Sequence, residues 1–308
     1  MGQNPLVSMI IPTYNRKQEL TRLIESIKQS DYPKESIEII VVDDASADGT
    51  FDTIKKGFPD VKAIRNTKRR LTSGARNVGI ECSKGDYLFF VDHDNVIDRR
   101  AISELVNFME RNEIVGLAGP IMHYYSVPEE IWCAGGKLKP PLYLSTCMFQ
   151  HETSETLQIA NISTIECAYI PNAFMVRKQI IKEIGLFDER NFPILFEDTD
   201  FSLRIKQGGY QIVIVPKAKV WHDVSTAKDF HIDEERAFFR GRSRARFYLK
   251  YAPLRTLMLP IDTLGFCVVL FVYDRGSRRL KNLSQYLKGI VYGLGLTDST
   301  NQYEKEQP

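Results

Sequence analysis

Cysteine is scarce in this chain, and no two cysteines lie close together in the sequence. The 308 residues contain five cysteines, at positions 82, 133, 147, 167 and 267, and none of them belongs to a CxxC pair. Secreted domains held by disulfides and structural zinc sites need denser or more closely spaced cysteines. The sequence therefore argues against both classes and favours a protein of a reducing compartment.

A secretory leader and a dominant charge are also missing. Residues 1–6 show neither a basic n-region nor a long apolar h-region, and Leu6 stands where a myristoylation pattern needs Ser or Thr. The 41 Lys and Arg against 39 Asp and Glu give a net charge of +2. Overall charge thus gives no reason to expect nucleic acid as a partner, and we expect none.

The first 110 residues alternate between apolar runs and amphipathic segments. Strands are predicted at residues 7–11, 37–42, 61–65 and 87–91. After Asn15, which is placed to cap a helix, apolar residues recur with helical spacing at Leu20, Leu23, Ile24 and Ile27. This alternation predicts an α/β fold, with a mainly parallel mixed sheet and helices on both faces. From residue 114 to 170 the pattern weakens, and we predict no strand pairing there.

Acidic residues stand where several of these elements end or begin. Asp43 and Asp44 close the second strand, and Asp92 and Asp94 follow the fourth. The carboxyl edge of such a sheet is where ligands bind. Side chains two residues apart in an extended chain point the same way, so two carboxylates can meet one hard cation beside a diphosphate. A solvated turn is the alternative reading, because Asp is common after strands.

Five short motifs follow one another in a fixed order. They read Ile10-Ile11-Pro12-Thr13-Tyr14-Asn15-Arg16, Val42-Asp43-Asp44-Ala45-Ser46, Gly74-Ala75-Arg76-Asn77, Asp92-His93-Asp94, and Glu197-Asp198-Thr199-Asp200-Phe201 with Arg204. On these motifs, over residues 6–225, the chain resembles family 2 glycosyltransferases of the Rossmann-like GT-A fold, of the rhamnosyltransferase-like type with a membrane-associated tail. The resemblance implies an inverting transfer from a UDP, dTDP or GDP sugar, with Mg²⁺ or Mn²⁺ as cofactor.

The resemblance also implies roles for single residues on the donor side. Donor-binding roles fall on Pro12, Tyr14, Arg16, Asp44, Arg76, Asn77 and Asp92. Pro12 and Tyr14 would flank the base, and Asp44 would accept from the ring N–H of uracil or thymine. Arg76 and Asn77 would line the donor pocket.

Metal binding and catalysis are implied for a second group of residues. Asp94 would bind the metal directly, Asp92 would approach the ribose or the metal, and His222 would complete the metal shell. Asp198 would be the base that deprotonates the acceptor, and Glu197 would orient it or contact the acceptor. A purely structural reading stays open, since acidic residues are also favoured in the first turn of a helix.

Residues 231–308 predict a helical extension that follows a catalytic domain over residues 1–230. Its residues 257–273 form an apolar stretch of 17 residues, the lower limit for spanning ~30 Å of hydrocarbon. Pro260 and Asp262 weaken a spanning helix, and basic residues such as Arg275 and Arg278 flank it. We therefore expect residues 236–296 to contact the membrane surface, and the protein to be cytoplasmic and peripheral on the inner face. A buried helix or one that joins a homo-oligomer is the rival.

The acceptor and the reaction class have alternatives of their own. A membrane-seeking tail suits a hydroxyl acceptor on a lipid-linked sugar or a growing surface glycan. A sugar-nucleotide nucleotidyltransferase also uses an α/β sheet and acidic metal ligands, but it usually carries a glycine-rich loop after the first strand. Residues 12–16 contain no glycine. A non-catalytic, nucleotide-binding membrane scaffold is the third reading.

Overall fold

The first part of the chain forms four parallel strands joined by helices. The computed structural model describes residues 4–153, 164–224, 233–273 and 279–296. The strands are β1 (Val7–Thr13), β2 (Ile37–Asp43), β3 (Lys62–Arg65) and β4 (Tyr87–Val91). The helices are α1 (Lys17–Lys28), α2 (Thr50–Gly57) and α3 (Leu71–Cys82). These strands pair in the spatial order β3–β2–β1–β4, all parallel, so their carboxyl ends share one edge.

The second part of the chain adds further strands to the same sheet, most of them antiparallel to a neighbour, and a separate antiparallel hairpin of two strands. After β5 (Asn95–Ile97) and α4 (Ala101–Glu110), the strands are β6 (Val115–Tyr124), β7 (Ile131–Cys133), β8 (Gly136–Lys139), β9 (Leu144–Cys147), β10 (Ile165–Glu166), β11 (Ala173–Arg177) and β12 (Gln211–His222). Helices α5 (Lys178–Ile184) and α6 (Glu197–Gln207) precede β12. β11 lies antiparallel between β4 and β6, and β12 is parallel to β6. The predicted α/β fold with a mixed, mainly parallel sheet is confirmed.

A cluster of phenylalanines fills the core beneath the carboxyl edge of β4. The rings of Phe187 and Phe201 stack with centroids 4.2 Å apart. Phe90 meets Phe187 edge-on at 5.2 Å and lies 5.3 Å from Phe174. The cluster joins β4, β11 and α6; Asp92 and Asp94 follow β4, and Glu197 and Asp198 begin α6.

Three helices follow the sheet: α7 (Glu234–Tyr251), α8 (Arg255–Tyr273) and α9 (Arg279–Gly293). α7 begins at an Asp233 cap whose side chain accepts from the Arg236 N–H at 2.7 Å. α7 and α9 cross at glycines, where their backbones come too close for a larger residue. A Cβ at Gly241 would lie 2.1 Å from the backbone carbonyl oxygen of Tyr286, and one at Gly289 would lie 2.0 Å from that of Phe238. The predicted domain boundary near residue 230 lies outside the described residues, as do residues 1–3, Arg275 and Arg278.

Candidate active site

The loop after β1 is fastened to the loop after β2 by Asn15. Its φ of 53° lies in the left-handed region, which asparagine tolerates. The Asn15 N–H donates to Ser46 Oγ at 2.9 Å, and its side-chain oxygen accepts from the Ala47 N–H at 2.8 Å. The predicted cap is therefore wrong. The helix cap is Arg16, which makes no side-chain cap bond, because the Asn15 side chain is used between the loops.

Tyr14 offers a partly exposed ring at this edge. The Arg69 guanidinium carbon lies 4.1 Å from the ring centroid, and Arg69 also pairs with Glu235 of α7 at 3.0 Å. Arg16 is exposed, whereas Pro12 is buried at the end of β1. Of the three donor-binding residues predicted in this motif, Tyr14 and Arg16 thus present side-chain surface.

The carboxylate of Asp44 holds the segment that leads into α3. Its Oδ1 accepts from Asn66 Nδ2 and from the Arg70 N–H, and its Oδ2 accepts from the Leu71 N–H, each at 2.8 Å. A carboxylate has about four lone-pair sites. A nucleobase N–H would therefore share an oxygen that already accepts from the protein. Neighbouring Asp43 is fully buried, and this burial raises its pKa.

Arg76 lies beneath the site and joins two of its acids. Its Nη1 donates to Asp198 Oδ1, and its Nη2 donates to Asp92 Oδ1 at 2.9 Å. Burial opposes its charge, but the Asp198 and Asp92 carboxylates raise the pKa of Arg76. Arg76 is 0% exposed, so its contacts here are with these two acids, and its place in the lining of the donor pocket stays a prediction.

Asn77 likewise makes its contacts within the protein, and its donor-pocket role stays a prediction. Its Nδ2 donates to the Phe187 carbonyl at 3.0 Å, and its Oδ1 accepts from the Phe187 N–H at 2.9 Å. Both ends of the amide are thus occupied by one backbone unit of the core, and the side chain is buried. The motif that contains Arg76 and Asn77 holds the site from below.

Asn172, which sequence reasoning missed, connects the parts of the site. It precedes β11 with a φ of 66°. Its N–H donates to Asp198 Oδ2 at 2.9 Å, and its Nδ2 lies 3.2 Å from both Asp92 Oδ2 and His222 Nε2. A single asparagine after a proline reads as a turn residue, so nothing in the local sequence distinguishes it.

Asp94 and His222 form the second corner of the site. Asp94 Oδ2 and His222 Nε2 are 3.4 Å apart. Burial opposes ionisation of Asp94, but its interactions with His222 lower the pKa of the carboxyl to about 2. The pairing of β5 with β12 brings the two residues together, since Asn95 and His222 are directly opposite. His93 turns away, with Nδ1 at 3.2 Å from the Pro12 oxygen.

This corner fits a divalent cation that is shared with a ligand. Within the ranges that the structure describes, no three His, Cys, Asp or Glu side chains gather to hold a metal by themselves. Mg²⁺ commonly takes only one or two carboxylates and completes its shell with phosphate oxygens and waters, and adjacent ligands stand ~3 Å apart. The 3.4 Å between Asp94 and His222 suits two such adjacent ligands.

Glu197 and Asp198 open α6 after an unusual turn. Leu195 and Phe196 have φ values of 63° and 66°, in the left-handed region that bulky residues avoid. Asp198 is held by Arg76 and by the Asn172 N–H. Burial, reinforced by the Asp198 charge, raises the pKa of Glu197 to about 8. An acid and a base can thus stand side by side here, the arrangement needed for proton transfer from a hydroxyl.

A family comparison agrees with this geometry. The model of the family described as "Glycosyl transferase family 2" matches residues 8–185, which is more than half of the 308 residues. The chain belongs to glycosyl transferase family 2. Membership in this family favours a transferase over the nucleotidyltransferase and scaffold alternatives, and it confirms the resemblance seen in the motifs.

Curated relatives include bacterial glycosyltransferases. The chain is 26% identical over 306 residues to "Probable glycosyltransferase YdaM" of Bacillus subtilis. The matched region spans 96% of this chain and 69% of that protein. It is 34% identical over 140 residues to the poly(ribitol-phosphate) beta-N-acetylglucosaminyltransferase TarP of Staphylococcus aureus, covering 43% of this chain and 42% of TarP. The chain thus spans under half the length of TarP.

Solved structures share the fold at low sequence identity. The mannosyltransferase PcManGT of Pyrobaculum calidifontis, in complex with GDP-Man and Mn²⁺, superposes with a TM-score of 0.57 at 17% identity, over 96% of this chain and 77% of that one. GalNAc-T7 with UDP, GalNAc and Mn²⁺ gives 0.61 at 16% identity, over 91% of this chain and 59% of that one. The GT-A fold is thereby confirmed.

Proposed function

We propose that this glycosyltransferase is an inverting enzyme that uses a UDP, dTDP or GDP sugar together with Mg²⁺ or Mn²⁺. The observation that carries the proposal is one connected set of polar contacts at the carboxyl edge of the sheet. Arg76 joins Asp198 to Asp92, Asn172 joins Asp92 to His222, and His222 meets Asp94. The base and the metal corner are thus parts of a single cluster.

In the proposed reaction, Asp198 takes the proton of an acceptor hydroxyl. The acceptor oxygen forms a bond to the anomeric carbon as the bond from that carbon to the diphosphate breaks, and the nucleoside diphosphate leaves from the opposite face. A cation held by Asp94 and His222, with Asp92 nearby, would neutralise charge on the departing diphosphate. Arg76 and Asn172 keep Asp198 in place, because both donate hydrogen bonds to its carboxylate.

The acceptor is proposed to be a hydroxyl of a surface glycan or of a lipid-linked sugar. The TarP relative is named for transfer to poly(ribitol-phosphate), which supports a polymer of this general kind. A second support is α8, whose residues Arg255–Val272 are long and apolar enough to cross a membrane, with a mean hydropathy of 1.7 and 17% of the segment buried.

We further propose that α8 lies on the inner membrane surface. Its exposed apolar residues recur at Leu257, Ile261, Leu264, Val268 and Phe271, which is one helical face. Asp262 stands on the opposite face and pairs with Arg244 at 2.7 Å. The inner face also packs Met258, Leu259 and Leu270 against α7 and α9. A helix that is packed against the protein on one side and exposes an apolar face on the other suits an interfacial position better than a spanning one.

The central test replaces Asp198 by Asn. The amide keeps the size of the side chain but accepts no proton, so we expect nucleotide binding to survive while transfer falls by about 10³-fold or more. Binding is measured as thermal stabilisation by UDP, dTDP and GDP, each with and without Mn²⁺. Ligand at about 100 times its dissociation constant should add ~2.7 kcal/mol of stability. Transfer is measured as release of the nucleoside diphosphate.

The matched control is Asp52→Asn, which changes an exposed carboxylate on α2. It should bind and turn over like the wild type. Full turnover by the Asp198→Asn protein would refute the assignment of the base. Equal stabilisation with and without Mn²⁺ would refute the metal role of Asp94 and His222.

A further inference from the structure

A single buried arginine of α7 connects α8 to the turn that precedes the proposed base. Arg244 is 6% exposed. Its Nε and Nη2 donate to the two carboxylate oxygens of Asp262, each at 2.7 Å. Asp262 belongs to α8, so this bidentate pair fixes α8 against α7. Bidentate pairs of this kind are geometrically specific as well as strong.

The same guanidinium also contacts the turn that leads into Glu197 and Asp198. Its carbon lies 5.4 Å from the ring centroid of Phe196, the residue immediately before Glu197. Its Nη1 and Nη2 also donate to the Tyr143 and Leu142 carbonyls, at 3.1 and 2.7 Å. Arg244 therefore contacts three separate parts of the chain: α8, the β8–β9 hairpin and the turn before α6.

The turn before α6 needs support from outside. Leu195 and Phe196 both have positive φ, and two such bulky residues in succession persist only where the surroundings hold them. α7 provides that support. Ser243 Oγ donates to the Ile194 carbonyl at 3.0 Å, and the rings of Phe247 and Phe196 are 5.1 Å apart.

α7 also holds the first turn of α6 directly. Lys250 Nζ donates to Asp200 Oδ1 at 2.6 Å, and the Tyr251 hydroxyl donates to the same oxygen at 2.7 Å. Asp200 is 1% exposed and stands two residues after Asp198. One side of the Asp198 turn is thus fixed by Arg76 and Asn172, and the other side by α7.

We propose that Arg244 is a positioning residue for Asp198, and that Asp262 of α8 sets the orientation of Arg244. This inference rests on the proposed function, since it assigns a support to the proposed base. The position of α8 is therefore linked to the turn that carries Asp198 through the side chains of Asp262 and Arg244 and the ring of Phe196. Neither Arg244 nor Asp262 touches the reacting atoms.

The test compares Arg244→Gln, Arg244→Lys and Asp262→Asn in the full-length protein. Turnover is measured as UDP released from UDP-glucose or UDP-N-acetylglucosamine, dTDP from dTDP-glucose, or GDP from GDP-mannose. We expect kcat to fall about 10²-fold in Arg244→Gln and about tenfold in Asp262→Asn, because a small displacement of the base is costly. The KM for the donor should stay within about twofold, since the metal corner is untouched. Arg244→Lys keeps the charge but not the planar guanidinium, so it should restore only part of the kcat lost in Arg244→Gln.

A second measurement does not depend on activity. Amide hydrogen exchange of peptides covering residues 194–200 should be faster in Arg244→Gln and in Asp262→Asn than in the wild type. The matched control is Lys28→Gln, which breaks the exposed ion pair of Lys28 with Asp60 on the far side of the molecule. It should change neither turnover nor exchange at residues 194–200.

The outcomes separate the two proposals. A wild-type protein that releases no nucleotide from any of these donors would contradict the proposed function, while hydrogen exchange would still decide on Arg244. Unchanged exchange at residues 194–200, or a kcat within about twofold of wild type in both variants, would overturn the positioning role. A matching loss of kcat and donor affinity would also overturn it, because that result indicates a general loss of structure. If Arg244→Gln fails to fold, Asp262→Asn decides alone.

Discussion

Glu197 is the residue whose ionisation should be most visible in the stability of the protein. One carboxylate oxygen, Oε2, is buried and has no hydrogen-bond partner among the described residues. Burial and the neighbouring Asp198 charge raise its pKa from 4.5 to about 8. The folded state therefore binds this proton more tightly than the unfolded state does. Stability should fall as the pH rises from about 4.5 to 8, over which the unfolded state loses the proton first.

The replacement Glu197→Gln tests this sign. The amide cannot ionise, so the variant should gain stability relative to the wild type as the pH rises, by on the order of 2 kcal/mol between pH 5.5 and 8.5. Urea unfolding at both pH values measures the difference. Glu25→Gln, at an exposed position of α1, is the control. Parallel pH curves for the wild type and Glu197→Gln would contradict the raised pKa.

Single-residue roles were the least predictable part of the site. The motifs brought Asp92, Asp94 and Asp198 to notice, the family resemblance added His222, and the fold gathers all four. The same motifs suggested donor contacts for Arg76, but its burial depends on the phenylalanine cluster beneath it, which no local pattern reveals. An arginine is normally exposed. Asn172 contributes its amide only because β11 happens to start beside both acids.

At the scale of elements, the crossing of α7 and α9 is the most sensitive contact. The helices approach so closely that a Cβ on Gly289 would lie 2.0 Å from the Phe238 carbonyl oxygen, and one on Gly293 2.6 Å from the Arg242 oxygen. The two glycines are four residues apart, a spacing that places them on one helical face. Small residues at such a spacing are typical of closely packed helix pairs.

The replacement Gly289→Ala should therefore destabilise the protein by about 2 kcal/mol, because the added methyl group cannot fit without separating the helices. The matched control is Gly265→Ala in α8, where a Cβ would meet nothing within 4 Å. That change should be neutral or stabilising by up to about 1 kcal/mol, since alanine favours helix. The free energy of unfolding in urea compares the two. Equal stability of both variants would contradict the close crossing.

Elements were predictable where one pattern ran without interruption. Three of the four parallel strands, β1, β2 and β4, were predicted because each is a largely buried apolar run. β3 is short and its two end residues are exposed. The apolar run of residues 212–215 predicts only a short strand, yet β12 continues to His222. Pro216 and Lys217 interrupt the apolar pattern, and the pairing with β6 shifts register between Val215 and Lys219. β6 to β10 were not predicted, since the pairings between them depend on tertiary contacts.

At the scale of the whole molecule, the exposed apolar face of α8 predicts membrane attachment. Leu264 is 68% exposed at the centre of that face. The replacement Leu264→Glu puts a charge there, so partitioning onto vesicles should fall about tenfold or more. Cosedimentation with vesicles of phosphatidylcholine and phosphatidylglycerol measures the change. The matched control is Ile114→Glu, at an apolar residue 54% exposed in the turn before β6, and it should not alter binding.

Two results would contradict the membrane proposal. One is a wild type that remains in the supernatant at every lipid concentration, and the other is equal sedimentation of Leu264→Glu and the wild type. Either result would leave the apolar face to a second copy of the chain or to another protein. The expected division into residues 1–230 and 231–308 stays a prediction in either case.

Contacts made by α7 bear on how far this chain could be shortened. Lys250 and Tyr251 close over Asp200, Phe247 covers Phe196, and Arg69 joins Tyr14 to Glu235. A truncation near residue 230 would remove α7 from beside the site. It would also expose the carboxylate of Asp200, which is now buried. The segment that begins with α7, in the last quarter of the sequence, is thus no removable appendage. A shortened form of the enzyme must therefore retain α7 and also α9, which packs closely against α7.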